Sequence, residues 1–237
     1  LSCDDLRLNL WKFDSAMRCF TLVDIKPPNM DSLSQVMTSA DFHPNNCNTF
    51  IFSTSHGSVH MGDMRAAALC DGSMKTFEEP EDPNKHSFIS EIIASISNAN
   101  FSPDGRYIVT RDYLTVRVWD VNMESRPLKT FNVQERLRPR LIELYEKECI
   151  FDKFEASMSH DGSTIVTGSY QNQFHMLSMD DSRPSTLLEA SQTPTKVSSN
   201  AICGDAGFSR RVLHAAFHPS QRLVAVAATC TLSIFRS

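Results

Sequence analysis

Glycine is scarce in this chain, with eight in 237 residues. None falls in a G-x-G-x-x-G or Walker pattern, so the usual backbone cradle for a nucleotide phosphate is missing. The seven cysteines are odd in number and widely spaced, with no C-x-x-C pair. That pattern argues against a disulfide framework and for free thiols in a reducing compartment, the cytosol or nucleus. There is no long Lys/Arg run, and the formal net charge is −5, which disfavours nucleic acid as a partner. No stretch approaches the ~20 apolar residues that a membrane helix needs. The first residue is Leu1 and no signal peptide follows it, so the chain is expected to begin inside a longer protein.

Catalytic and metal constellations are equally thin. His56 and His60 are four apart, as are His214 and His218. Gly57 and Pro219 put them on turns and strands rather than on a zinc-binding helix face, and no third ligand is evident. Cys149 lies near Glu148 and Asp152, but no histidine is close in sequence. Neither a cofactor nor a metal is expected. Trp11 and Trp119 are read as core residues.

What is present is a repeat. Four segments align: ADFHPNNCNTFIFSTSHGSVHMGD, ANFSPDGRYIVTRDYLTVRVWD, ASMSHDGSTIVTGSYQNQFHMLS and AAFHPSQRLVAVAATCTLSIF. One apolar anchor recurs at Phe42, Phe101, Met158 and Phe217, in steps of 59, 57 and 59 residues. A second recurs at Trp11, Gly62, Trp119, Leu177 and Phe235, in steps of 51, 57, 58 and 58. In the clearest unit Pro103-Asp104-Gly105 makes a tight turn. Tyr107–Thr110 is a β-rich run, and Leu114, Val116 and Val118 alternate with polar or aromatic neighbours at strand period. A further strand follows at Leu128–Val133. Three or four short antiparallel strands per unit predict an all-β fold of propeller blades.

The FSPDG turn and the VRVWD ending resemble WD repeats, without the usual upstream Gly-His pair and with a longer period. Longer runs are more specific: DDLRLNLW, VDIKP, ADFHPNNCNTF, FEEPEDP, SEIIASIS, TRDYLTVRVWDVNMESRP, CIFDKFE and TGSY. Together they resemble the 55-kDa regulatory B subunits of protein phosphatase 2A. The similarity runs from Leu1 to about Tyr170 and resumes near Val212. Between roughly Ser182 and Arg211 it fails, because the family carries a longer basic insert there.

The resemblance implies a partial WD-repeat propeller, about four blades of an expected seven. Residues 1–28 would end one blade. Residues 29–86, 87–134 and 135–190 would form three more, 191–211 a flexible loop, and 212–237 a last blade without its outer strand. Such a piece should expose two blade faces and one unpaired edge. The extra residues of each unit are expected as short helices before the first strand: Asn29–Gln35, Ser87–Ser95 with Phe88, Ile92 and Ile96 on one stripe, and Pro139–Glu148 with Leu141, Leu144 and Tyr145 at helical spacing.

In an up-and-down blade the loop after the second strand and the loop leaving the fourth share a face. Asp4, Asp5, Met30, Asp31 and Leu33 should therefore meet on one rim, with 77–83 and 134–147 on the same face. That face should be acidic with apolar notches and should suit basic extended peptides. On bare sequence Asp4-Asp5 reads as turn chemistry. In the resembling subunits the residues matching Asp5 and Leu33 grip substrates, and Met30 and Asp31 match their groove neighbours, although the family often has two Glu where this chain has Asp31-Ser32.

The function so implied is a non-catalytic regulatory subunit. It would dock on a HEAT-repeat scaffold subunit and a catalytic subunit and recruit basic phosphoprotein substrates. The alternatives are a generic WD-type interaction scaffold tied to no phosphatase, and a propeller enzyme, for which no pair of channel carboxylates can be placed. Co-purification with a scaffold and a phosphatase separates the first two, and a turnover screen tests the third.

Overall fold

The computed structural model describes residues 1–12, 18–66, 74–80, 87–190, 208–228 and 231–236. Among these residues eighteen strands form five antiparallel sheets in chain order. The first holds β1 (Ser2–Cys3), β2 (Arg7–Lys12) and β3 (Arg18–Asp24). The second holds β4 (Met37–Phe42), β5 (Thr49–Thr54), β6 (Val59–Asp63) and β7 (Lys75–Phe77). The third holds β8 (Asn98–Phe101), β9 (Tyr107–Arg111), β10 (Thr115–Asp120) and β11 (Lys129–Asn132). The fourth holds β12 (Ala156–Met158), β13 (Thr164–Gly168), β14 (Gln173–Ser178) and β15 (Thr186–Glu189). The last holds β16 (Val212–Phe217), β17 (Leu223–Ala228) and β18 (Thr231–Arg236). This is a partial propeller.

Strand period 2 explains the stacking. Successive residues of each second strand face opposite neighbours. Phe50 and Phe52 pack back on Leu8 and Val23 of the first sheet, whereas Ile51 packs forward with Ile108 and Trp119 of the third. Val109, Val116 and Val118 meet Ile165 and Leu177 of the fourth. Val166 and Phe174 meet Val224 and Val226 of the fifth. Every internal sheet is thus apolar on both faces, and burying one such side chain is worth about 1.5–3 kcal/mol.

Polar side chains of the inner strands fix the register between neighbours. Ser39 Oγ accepts from Ala99 N–H at 3.1 Å, Asp41 Oδ2 from Phe101 N–H at 3.1 Å, and Asn98 Oδ1 from Ala156 N–H at 3.2 Å. Burial pushes the Asp41 carboxyl pKa upward, and the Phe101 amide partly offsets this.

The repeated turn after the inner strand is built in two ways. Ser102 and Ser159 hold it through Asp104 and Asp161, with Gly105 and Gly162 at φ +76° and +69°. In the second and last sheets His43 and His218 do the same work, each Nδ1 accepting two backbone N–H groups. His60 is stacked on Phe52 between Ser58 and Thr76, and His214 lies 2.9 Å from Glu155.

At the second anchor, Trp119 is 2% exposed, and the ring of Phe50 takes up the space where Gly62 would carry a Cβ. Trp11 departs from the core expectation. It is 42% exposed, paired with Cys19 on the face of β2 opposite to Leu8 and Leu10. Leu232 and Ile234 are likewise exposed on the last sheet.

Candidate functional site

The segment leaving β3 returns to its starting point. Ile25 N–H donates to Leu6 O at 3.0 Å, and Met37 N–H donates to Asp5 O at 2.8 Å. Both ends of residues 25–37 are therefore pinned to the turn that carries Asp5. Between them a single 3-10 turn, Met30–Ser32, is capped by Asn29, whose Oδ1 accepts from Asp31 N–H. Leu33 closes that turn by donating its N–H to Met30 O. Asp5, Met30, Asp31 and Leu33 thus belong to one rim, and all four are exposed, Met30 at 50% and Leu33 at 38%.

Asp4 and Asp5 divide their labour. Asp4 Oδ1 accepts from the N–H groups of Leu6 and Arg7 at 3.1 and 2.7 Å, which makes Asp4 a turn residue. The neighbouring Cys3 thiol pKa is pushed up to about 11 by burial and by the charges of Asp4 and Asp5. Neither Asp5 nor Asp31 has an ion pair among the described residues, so both carboxylates are presented to solvent.

The rest of the face departs from the acidic expectation. Glu79 is paired with Arg117 at 3.0 Å, and Arg117 also contacts Asp112. Glu81 and Asp82 lie outside the described residues. In residues 134–147, Glu135 is paired with Arg138 and Glu143 with both Arg140 and Lys147, whereas Glu146 is exposed. Those two bases hold the Glu143 carboxyl pKa down at about 2. Charge on these two loops is thus partly matched within the chain.

The far end of the face carries aromatic rings. Helix α1 (Phe88–Ala94) starts at a Ser87/Ser90 capping box. Helix α2 (Leu141–Glu146) follows a 3-10 turn over Glu135–Arg140. Pro139 lies inside that 3-10 turn and does not start the α-helix. Phe88 is not part of a buried stripe with Ile92 and Ile96. It is 63% exposed, and its ring meets Tyr145 edge-on at 5.6 Å. Tyr145 in turn lies 5.9 Å from Phe151, which is 55% exposed. Both helices precede inner strands, so these rings share the rim side of the disc with Asp5.

A buried hub supports the row. Tyr113 and Tyr170 hydroxyls meet at 2.9 Å, and Tyr170 reaches Cys149 O at 2.8 Å and Asp152 Oδ2 at 3.0 Å. Arg211 pairs with the same Asp152. Burial and the facing acids raise both tyrosine pKa values, so each stays a neutral donor. The exposed rings escaped the periodicity argument because both helices are too short for helical spacing to separate buried from exposed positions. Three aromatic residues in the segments that precede inner strands were the available signal.

No family model matches the chain. It is 49% identical over 252 aligned positions to a Carassius auratus protein, the beta isoform of the 55 kDa regulatory B subunit of serine/threonine-protein phosphatase 2A. The alignment takes in 100% of this chain and 57% of that relative, so the chain spans little more than half the relative's length. In fold it is similar to the crystal structure of Chaetomium thermophilum Raptor, with a TM-score of 0.61 and 14% identity over 98% of this chain and 18% of that one. At that identity the likeness concerns architecture alone.

Proposed function

Because the chain belongs to the family of 55 kDa regulatory B subunits of protein phosphatase 2A, we propose that it is a non-catalytic subunit that brings substrates to a separate phosphatase catalytic subunit. It would be held in that complex by a HEAT-repeat scaffold and would work in the cytosol or nucleus. The observation that carries the reading is the double pinning of residues 25–37 to the Asp5 turn. It supports a rim that holds the Asp5 carboxylate, without an ion pair among the described residues, together with two exposed apolar side chains, Met30 and Leu33. Asp5 attracts a basic residue of an extended segment, Asp31 adds to the same field, and Met30 and Leu33 hold an apolar neighbour. The aromatic row of Phe88, Tyr145 and Phe151 extends the platform toward larger apolar anchors. Specificity then comes from tethering, and bond cleavage happens on another chain.

The test is charge reversal, Asp5→Lys, in the intact protein. Substrate capture should fall by about tenfold or more, as expected for loss of a charge-assisted contact. Assembly with scaffold and catalytic subunits should stay unchanged. Equal capture by the variant would overturn the assignment of Asp5. Failure of the parent protein to co-purify with a phosphatase would favour the generic interaction scaffold.

A further inference from the structure

The interface between the third and fourth sheets is mixed in character. It is apolar where Val116 and Val118 meet Ile165 and Leu177. Beside them it carries polar and cationic groups, with Arg111 directly across from Val116 in the β9–β10 register. Arg111 is wholly buried over the Phe154 ring, with one guanidinium N–H donated to Thr115 O and with Nε and Nη2 lacking a partner among the described residues. Gln134 is also fully buried and leaves its Oε1 unpaired. On the facing strand β14, His175 leaves a buried Nε2 without a partner. Native interiors rarely leave such groups unmatched, so these orphans ask for a ligand or solvent.

Of these three residues, His175 lines a cavity. A groove of about 530 Å³ opens between β11 and β14–β15, with His175 and Arg136 among its lining residues and Phe131, Val133, Leu177 and Leu187 as apolar walls. Arg136 is steadied there by Gln173, whose Oε1 accepts from its Nη2 at 3.2 Å. Glu135 also lines the groove, but its carboxylate is engaged by Arg138. The positive field is visible at His175. Burial, then the charges of Arg111 and Arg136, depress its pKa to about 3, so the ring is neutral and offers one N–H.

We propose that this groove binds an oxyanion, a carboxylate or phosphate carried on an apolar stem, such as the acidic side chain of a bound peptide segment. Arg136 supplies the charge, and His175 Nε2–H, in the tautomer the anion selects, supplies a second donor. Arg111 stands behind them as a fixed cation. The apolar walls take the stem. This site is separate from the Asp5 rim and opposite to it in charge, and it does not depend on the regulatory-subunit reading.

The test uses the intact protein with ring-labelled histidine, followed by NMR. The probes are inorganic phosphate, N-acetyl-phosphoserine amide and N-acetyl-glutamate amide, each at constant ionic strength against chloride. Saturable shifts of the His175 ring, with its pKa rising as the anion binds, are expected. Arg136→Gln should weaken binding by roughly tenfold or more, and Arg136→Lys should restore part of it. Tighter binding of the amides than of phosphate assigns the anion to a side chain, and the reverse order assigns it to the free ion. Linear, unsaturated shifts with all three probes in the wild-type protein overturn the proposal whether or not the variants fold. So does equal affinity in a folded Arg136→Gln variant.

Discussion

Gly168 sits where two sheets approach too closely for any side chain. A Cβ built on it would lie 1.8 Å from Val212 O and 2.7 Å from the Val212 carbonyl carbon. Ordinary C···O contacts begin near ~3.3 Å, so Gly168→Ala requires β13 and β16 to separate by roughly 1.5 Å, the difference between that contact limit and the built distance. The obstacle is backbone, and no rotamer change can relieve it. The same approach carries the Val212 N–H to Ser169 O hydrogen bond at 2.9 Å and the Tyr170–Arg211 bridge. Overpacking costs about 1–3 kcal/mol and a lost hydrogen bond about 1 kcal/mol. The sum, about 2–4 kcal/mol, should lower the melting temperature by roughly 5–12 °C for a domain of this size. Calorimetry reads the loss, and hydrogen exchange should show Val212 losing its protection. Gly162→Ala is the control. Its φ is +69° with nothing within 4 Å of the new Cβ, so only the left-handed backbone cost of about 1–2 kcal/mol applies. If Gly168→Ala melts with the wild type and keeps the Val212 amide protected, the last two sheets do not meet as described.

Three further outcomes follow from the geometry. Tyr170→Phe removes the hydroxyl that joins Tyr113, Cys149 and Asp152. It should cost about 1–3 kcal/mol and speed hydrogen exchange across 145–152, while leaving the first two sheets unaffected. Phe151→Ala takes away an exposed ring that contacts Tyr145. Capture of apolar-bearing partners should weaken about tenfold with no change in melting temperature, as read by binding titration and calorimetry. Asp161 has its carboxyl pKa lowered from 3.8 to about 2 by Ser159, Ser163 and the turn amide. Its stabilisation is complete above pH 3.8 and disappears as pH falls toward 2. Asp161→Asn should therefore show a shallower acid limb over that window in pH-dependent melts.

Much of the fold could be read without coordinates because a blade is a local object. Strand alternation, the Asp-Gly turn and the recurring anchor are properties of twenty or so consecutive residues, and chain order became sheet order with no crossover. Even Gly62, the odd member at the Trp-like position, keeps its place because Phe50 across the strand supplies the missing ring. The site was legible only in part. The up-and-down topology was enough to bring the Asp5 turn and residues 30–33 to one face, since that follows from counting strands. Which carboxylates remain unpaired did not follow from counting.

Sequence by itself determined the repeat, the alternation and the side of the disc on which each loop emerges, because all three depend on neighbours along the chain. Tertiary structure alone decided that Glu79 is paired with Arg117, that Phe88 and Tyr145 face solvent, and that the charge of Arg111 acts on His175 across an interface. Charge and exposure at a given residue depend on which remote side chains arrive within a few ångströms of it, and that is settled only when the blades stack.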